Sequence, residues 1–270
     1  MRSVGMFDAL SSEFMRNALI AAALASVAFG VAGAYVSAKK IAFVGGGVAH
    51  AAFGGVGLAY WLGFEPLYGA TAFALAASVA AARLRDGGAK DDPIIGAMWA
   101  AGMAAGVLFV DLKEGYAPNL TGYLFGNILT TSDAELLFIA TVDAVILTTA
   151  LVFRRELQAV AFDEEFARAS GMPVGALNIV LYGIVGLAVV ALARVTGIVL
   201  VVAMLTIPAA VALKFARGLG AAMIWSGAIG FAFSVAGLAI AYYLDLSPGA
   251  AIVFVALVVF LVVSFVGKRR

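Results

Sequence analysis

Gly249-Ala250-Ala251-Ile252-Val253-Phe254-Val255-Ala256-Leu257-Val258-Val259-Phe260-Leu261-Val262-Val263-Ser264-Phe265-Val266-Gly267 runs nineteen residues without a charge and is followed by Lys268-Arg269-Arg270. An apolar helix of this length crosses the hydrocarbon core of a bilayer. Eight further stretches of the same kind lie upstream, at about residues 15–36, 43–63, 67–84, 94–111, 135–153, 175–193, 197–216 and 221–243. Of the 270 residues 64% are hydrophobic and only 12% charged, with a mean hydropathy of +1.07. A soluble domain is about 45–50% apolar and about 25% charged. The expectation is an all-α, polytopic transmembrane bundle of about nine spans, forming one domain over residues 1–270.

Composition excludes several function classes. There is no cysteine, which removes disulfides, thiolate metal sites and thiol catalysis. The single histidine, His50, cannot form a multi-histidine site within one chain. A net charge of +1 leaves no nucleic-acid footprint. Alternating ten-residue strands of an outer-membrane barrel are missing, as is a phosphate-binding G-x-x-x-x-G-K-[ST] sequence. Asp8 and Glu13 precede the first apolar run, unlike the charge pattern of a secretory leader.

Charge also orients the spans. With the polar stretch 154–173 inside, the inner face collects Lys39, Lys40, Arg83, Arg85, Lys90, Arg154, Arg155, Arg168, Lys214, Arg217, Lys268, Arg269 and Arg270, thirteen of the 17 basic residues. The N-terminus is then outside and the C-terminus cytoplasmic. The outer face keeps Asp8, Glu13, Glu65, Asp111, Glu114, Asp133, Glu135 and Asp245, which either favour a cationic solute or reflect the scarcity of basic residues there. Gly102-xxx-Gly106 and the glycines around residues 45–47 and 54–55 provide small surfaces for close helix packing.

Few polar groups fall inside the spans. His50 lies in the second, and neutral imidazole is a common ligand for divalent transition metals. It serves either as such a ligand or as a hydrogen-bonding group between helices. Asp143 is near the middle of the fifth span, where an acid must face protein or water; a packed carboxyl and a cation-path acid are the two readings. Arg194 reads as an interfacial anchor or helix-pairing residue, and Asp245 with Pro248 as a turn. Asp163, Glu164 and Glu165 suit the N-terminus of a short helix that Gly171 and Pro173 would end. Such a helix is either an ordinary loop element or a docking surface.

Ile41-Ala42-Phe43-Val44-Gly45-Gly46-Gly47-Val48-Ala49-His50-Ala51-Ala52-Phe53-Gly54-Gly55-Val56-Gly57 resembles the second-span motif of the zinc, manganese and iron ABC importer permeases, the ABC-3 type membrane subunits. That motif is G-D-x-x-x-H-A, with its Asp and His on one helix face. His50 is kept here, but Gly46 stands at the aspartate position. The segments Tyr123-Leu124-Phe125-Gly126-Asn127-Ile128-Leu129 and Phe162-Asp163-Glu164-Glu165-Phe166-Ala167-Arg168-Ala169-Ser170-Gly171-Met172-Pro173 are similar to family segments, as are Ile207-Pro208-Ala209-Ala210 and Tyr242 to Gly249.

The resemblance implies a type II ABC importer permease. It would work as a homodimer with a cytoplasmic ABC ATPase and an extracytoplasmic metal-binding protein, in an inner or plasma membrane. This chain would not be an enzyme and would bind no cofactor of its own; ATP would sit on the partner, and Zn2+ or Mn2+ would be the cargo. The loop at about 154–173 would carry the coupling helix, with Asp163, Glu164, Glu165, Ala167 and Gly171 facing the ATPase. His50 would touch the ion transiently, with Asp143 as a further candidate. The missing carboxylate at Gly46 favours zinc slightly over manganese or iron. The competing reading is a proton-coupled secondary cation transporter or channel using His50 and Asp143.

Overall fold

Lys40 adopts φ 60°, a left-handed conformation, and reverses the chain within two residues. It thereby joins α1 (Glu13–Lys39) to α2 (Ala42–Leu62). The computed structural model describes residues 12–113 and 120–267. Asp8, Glu114, Lys268, Arg269 and Arg270, named above on the two faces of the chain, lie outside the described residues. The remaining elements are α3 (Pro66–Asp86), α4 (Asp91–Asp111), α5 (Leu120–Phe125), α6 (Asp133–Val152), α7 (Arg154–Phe162), α8 (Glu164–Ala169), α9 (Val174–Thr196), α10 (Val201–Ala212), α11 (Leu219–Leu244) and α12 (Pro248–Gly267). A 3-10 turn at Ile128–Thr130 precedes α6. No strand forms among the described residues.

Eight of these helices are long and apolar enough to span a membrane, in place of the expected nine. The stretch expected at 197–216 is the exception: its helix, α10, has 12 residues and Pro208 inside it. At 1.5 Å per residue it is about 18 Å long, short of a bilayer core of about 30 Å. Its missing turns are replaced by a break at Gly197 and a turn over 198–200, where Val199 N–H donates to the Leu124 carbonyl at 3.1 Å. Irregular backbone at membrane depth needs such partners within the protein. Gly126 (φ 71°) and Gly197 (φ 84°) make the crossing possible, since a Cβ on Gly197 would stand 2.3 Å from the Phe125 carbonyl carbon. Gly249 passes equally close to the Phe125 carbonyl oxygen. The Tyr123–Leu129 and Asp245–Gly249 segments therefore meet in one backbone junction.

Helices α1, α2 and α9 are buried over two thirds or more of their apolar windows, whereas α4 is buried over only 22%. Around α1 stand α6, α9, α10 and α11; α2 packs on α3 and α4, and α9 bridges the two groups through α3. At one end of the bundle Asn17 donates to Asp133 at 3.0 Å, and Arg194 pairs with Glu135 at 2.5 Å. The helix-pairing reading of Arg194 is thus the one realised. Ser132 and Glu135 form a capping box at the start of α6. Asp133 and Glu135, counted above among the acids of the outer face, are engaged in holding helix ends. Asp245 takes φ 54° at the end of α11, as a turn residue.

Candidate functional site

His50 lies mid-helix on α2, half-buried, with its ring centroid 5.2 Å from that of Trp99 on α4. Its Nδ1 is buried without a hydrogen-bond partner among the described residues. A ring nitrogen in that condition is available to a ligand. Helix α4 comes this close because it presents Gly102 to the His50 backbone: a Cβ on Gly102 would stand 2.3 Å from the His50 carbonyl oxygen.

One turn before His50, on the same face, is Gly46. A Cβ there would lie 2.9 Å from Val202 Cγ2 and 3.1 Å from Trp99 Cζ2. The space in which the family motif places a carboxylate is therefore taken by an indole and an isopropyl group. At Gly47 the nearest atoms belong to Met98, whose Sδ would be 3.6 Å from a Cβ. Met98, Trp99 and Val202 were not singled out from sequence. For Met98 and Trp99 the signal was the Gly102-xxx-Gly106 pair, which brings the neighbouring face of α4 onto α2; for Val202, on α10, the sequence carries none. No cluster of three or more His, Asp or Glu forms among the described residues.

Asp143 is elsewhere. It is 3% exposed on α6, with both carboxylate oxygens lacking a hydrogen-bond partner among the described residues. Helix α6 packs chiefly on α1 and α9, whereas α2 packs chiefly on α3 and α4. The structure does not join Asp143 and His50 into one relay.

The 154–173 stretch folds into two short helices. Helix α7 buries Leu157, Val160 and Ala161, and α8 follows after Asp163, whose Oδ1 accepts from the Phe166 N–H at 2.9 Å. Ala167 is fully buried in a small cluster with Val160, Val174 and Leu177. Gly171 takes φ 79° to leave the helix, and its side is open. Glu164 turns inward to the Lys39 ammonium, which also donates to the Val160 carbonyl at 3.0 Å. Arg85 stands 3.6 Å from Glu164 and donates to the Tyr182 hydroxyl at 2.9 Å. Arg168 and Asp86 approach to 3.6 Å. Burial alone would raise the pKa of Glu164, but the Lys39 hydrogen bond and the Lys39 and Arg85 charges hold it below the ordinary carboxylate value.

This clamp ties α8 to the ends of α1, α3 and α9. It also divides the five residues expected to face a partner. Asp163 caps, Glu164 and Ala167 anchor, Gly171 turns the chain, and Glu165 remains exposed. Beside it are Phe162 and Phe166, 61% and 62% exposed. Two aromatic rings on a short clamped turn form an apolar surface to which sequence reasoning gave no weight.

The sequence profile of the ABC 3 transport family matches residues 11–267. An uncharacterised membrane protein of Synechocystis is 38% identical over 258 residues, 95% of this chain and 92% of that protein. The manganese import system permease protein ScaB of Streptococcus gordonii is 31% identical over 259 residues, covering 96% and 93%. Among solved structures, PsaBC from Streptococcus pneumoniae in complex with Fab superposes with a TM-score of 0.85 at 31% identity, over 95% of this chain and 93% of that one. An inward-facing metal-chelate type ABC transporter shares the fold, with a TM-score of 0.69 at 17% identity over 94% and 87%.

Proposed function

Because this chain belongs to the ABC 3 transport family of metal ABC importer permeases, we propose that it carries a divalent transition-metal ion inward past His50 by alternating access. A separate ATPase docked on the Phe162–Gly171 turn drives the cycle. The observation that carries this reading is the unpartnered Nδ1 of His50, held mid-helix beside Trp99. Imidazole alone binds a metal weakly enough to release it, whereas a closed structural site would retain it. The end of the bundle bearing Lys39, Arg85 and Glu164 is cytoplasmic by the distribution of basic residues. The permease works as a pair of identical chains, with a metal-binding protein delivering ions at the opposite end. The proton-coupled alternative would need a route from Asp143 on α6 to His50 on α2, two helices that pack chiefly on other elements.

Relatives of this chain are named for manganese import. Zinc is nonetheless the favoured cargo here. Manganese prefers hard oxygen ligands, and the position that would supply one is Gly46, closed off by Trp99 and Val202. The test is uptake of radioactive zinc by proteoliposomes holding the permease and its ATPase. His50→Ala is expected to lower the ATP-driven rate about tenfold or more with an unchanged melting temperature. Equal rates would return His50 to a packing role. Manganese competing as well as unlabelled zinc would remove the zinc preference while leaving the transport reading intact.

The coupling surface has its own test. Phe166→Asp places a charge where an apolar contact is needed and is expected to break co-purification with the ATPase and stop uptake. Because Phe166 is exposed and outside the clamp, the variant should melt like the wild type. Retained ATPase binding at wild-type affinity would move the dock elsewhere.

A further inference from the structure

A cavity of about 600 Å³ opens between α1, α6 and α11, and its lining includes no residue of the α2–α4 pair that carries His50. Along α1 it runs from Ser26 to Tyr35, about 14 Å at the helical rise. Most of its wall is aliphatic, with Leu147, Leu151 and Ile224 on its flanks. The helices meet at its floor through Gly30, where a Cβ would lie 2.7 Å from the Met223 carbonyl oxygen.

Its polar groups lie mostly at one end; Ser26, at the other, donates its hydroxyl to the Ala23 carbonyl at 2.5 Å. Arg154 and Gln158 of α7 line the polar end, with Tyr35 of α1. Tyr35 is fully buried, and its hydroxyl has no hydrogen-bond partner among the described residues. Arg154 forms no ion pair with an acid among the described residues; Glu164 of the same loop is committed to Lys39 and Arg85. A guanidinium just past the end of a membrane-spanning helix lies at headgroup depth.

A narrow apolar slot with a free cation and buried hydroxyl at its interfacial end matches a phospholipid: acyl chain along α1, phosphate on Arg154. We propose that this groove is a binding site for one anionic phospholipid, with Arg154 as the headgroup ligand and Tyr35 as a hydrogen-bond donor to the phosphate or glycerol ester. Such a lipid braces the joint between α6 and α7, the helix that leads into the Glu164 clamp. The inference is independent of the cargo and of His50.

Native mass spectrometry of the full chain in detergent, titrated with phosphatidylglycerol and with phosphatidylcholine, tests it. One phosphatidylglycerol should stay bound in preference to phosphatidylcholine. Arg154→Gln should weaken its retention about fivefold, and Ala228→Phe, which fills the apolar slot, should abolish it. Arg217→Gln, at the same end but outside the groove, should retain it fully. Melting temperatures without added lipid separate misfolding from lost binding. The proposal is overturned if Arg154→Gln and Ala228→Phe bind as the wild type does, or if inorganic phosphate displaces the lipid. It is also overturned if a cysteine introduced at Ile224, in this otherwise cysteine-free chain, cross-links two copies; that result would assign the groove to a second chain.

Discussion

Gly102→Ala is expected to destabilise the permease by about 3 kcal/mol or more and to abolish metal uptake. The added Cβ would meet the His50 carbonyl oxygen at 2.3 Å, its carbonyl carbon at 2.5 Å and the Ala51 Cα at 2.6 Å. All three are backbone atoms, so no rotamer change relieves the overlap, and α4 must move away from α2. In lipid, helices associate through close packing more than through expulsion of apolar surface, so the separation is costly. Gly96→Ala on the same helix is the control. Nothing lies within 4 Å of its Cβ, and it should be neutral or gain up to about 1 kcal/mol from helix propensity. Thermal melts of both variants in one detergent provide the comparison. A Gly102→Ala melt equal to that of the wild type would contradict the close approach at His50.

Glu164→Leu is expected to cost about 3 kcal/mol and to disconnect the Phe162–Gly171 turn from the bundle. The Lys39 side chain is 3% exposed and Glu164 31%. Removing the acid strands a buried ammonium on the Val160 carbonyl, which is worse than removing both charges. The double variant Lys39→Met/Glu164→Leu should therefore recover much of the lost stability, and a double-mutant cycle measures the coupling. The cost lies at the low end of the range for buried pairs because Glu164 keeps part of its surface in water. The pH dependence follows from the depressed Glu164 pKa. Its stabilising contribution is fully present above 4.5, the ordinary carboxylate value, and is lost as pH falls through the lower native value. Wild type and Glu164→Leu should accordingly converge in acid, and a gap independent of pH would argue against the ion pair.

The eight long helices were legible because nearly every one is a charge-free run bounded by Gly, Pro or paired charges. The ninth run, 197–216, is equally apolar, and hydropathy cannot distinguish a crossing from a chain that breaks at Gly197 and joins the backbone near Phe125. That distinction is made by glycines more than seventy residues apart in sequence. His50 was legible as the lone imidazole in a span. The residues closing Gly46 were not, because Trp99 and Val202 look like ordinary core residues until α4 and α10 are placed against α2. The acidic start of α8 was visible, but its division of labour was not. Glu164 and Glu165 are chemically identical, and only the three-dimensional position of Lys39 sends one inward and leaves the other outside.

The indole beside Gly46 has an electrostatic consequence. The 21 residues of α2 contain no acid, so the face bearing His50 offers a passing dication no fixed countercharge. On the proposed route past His50, an ion would find its compensating charge off this helix, in water and mobile anions, and its dwell there would be short. Discrimination between metals would then rest in part on the protein proposed to deliver them, beside the slight zinc preference that the missing carboxylate gives, while the permease would contribute direction and timing.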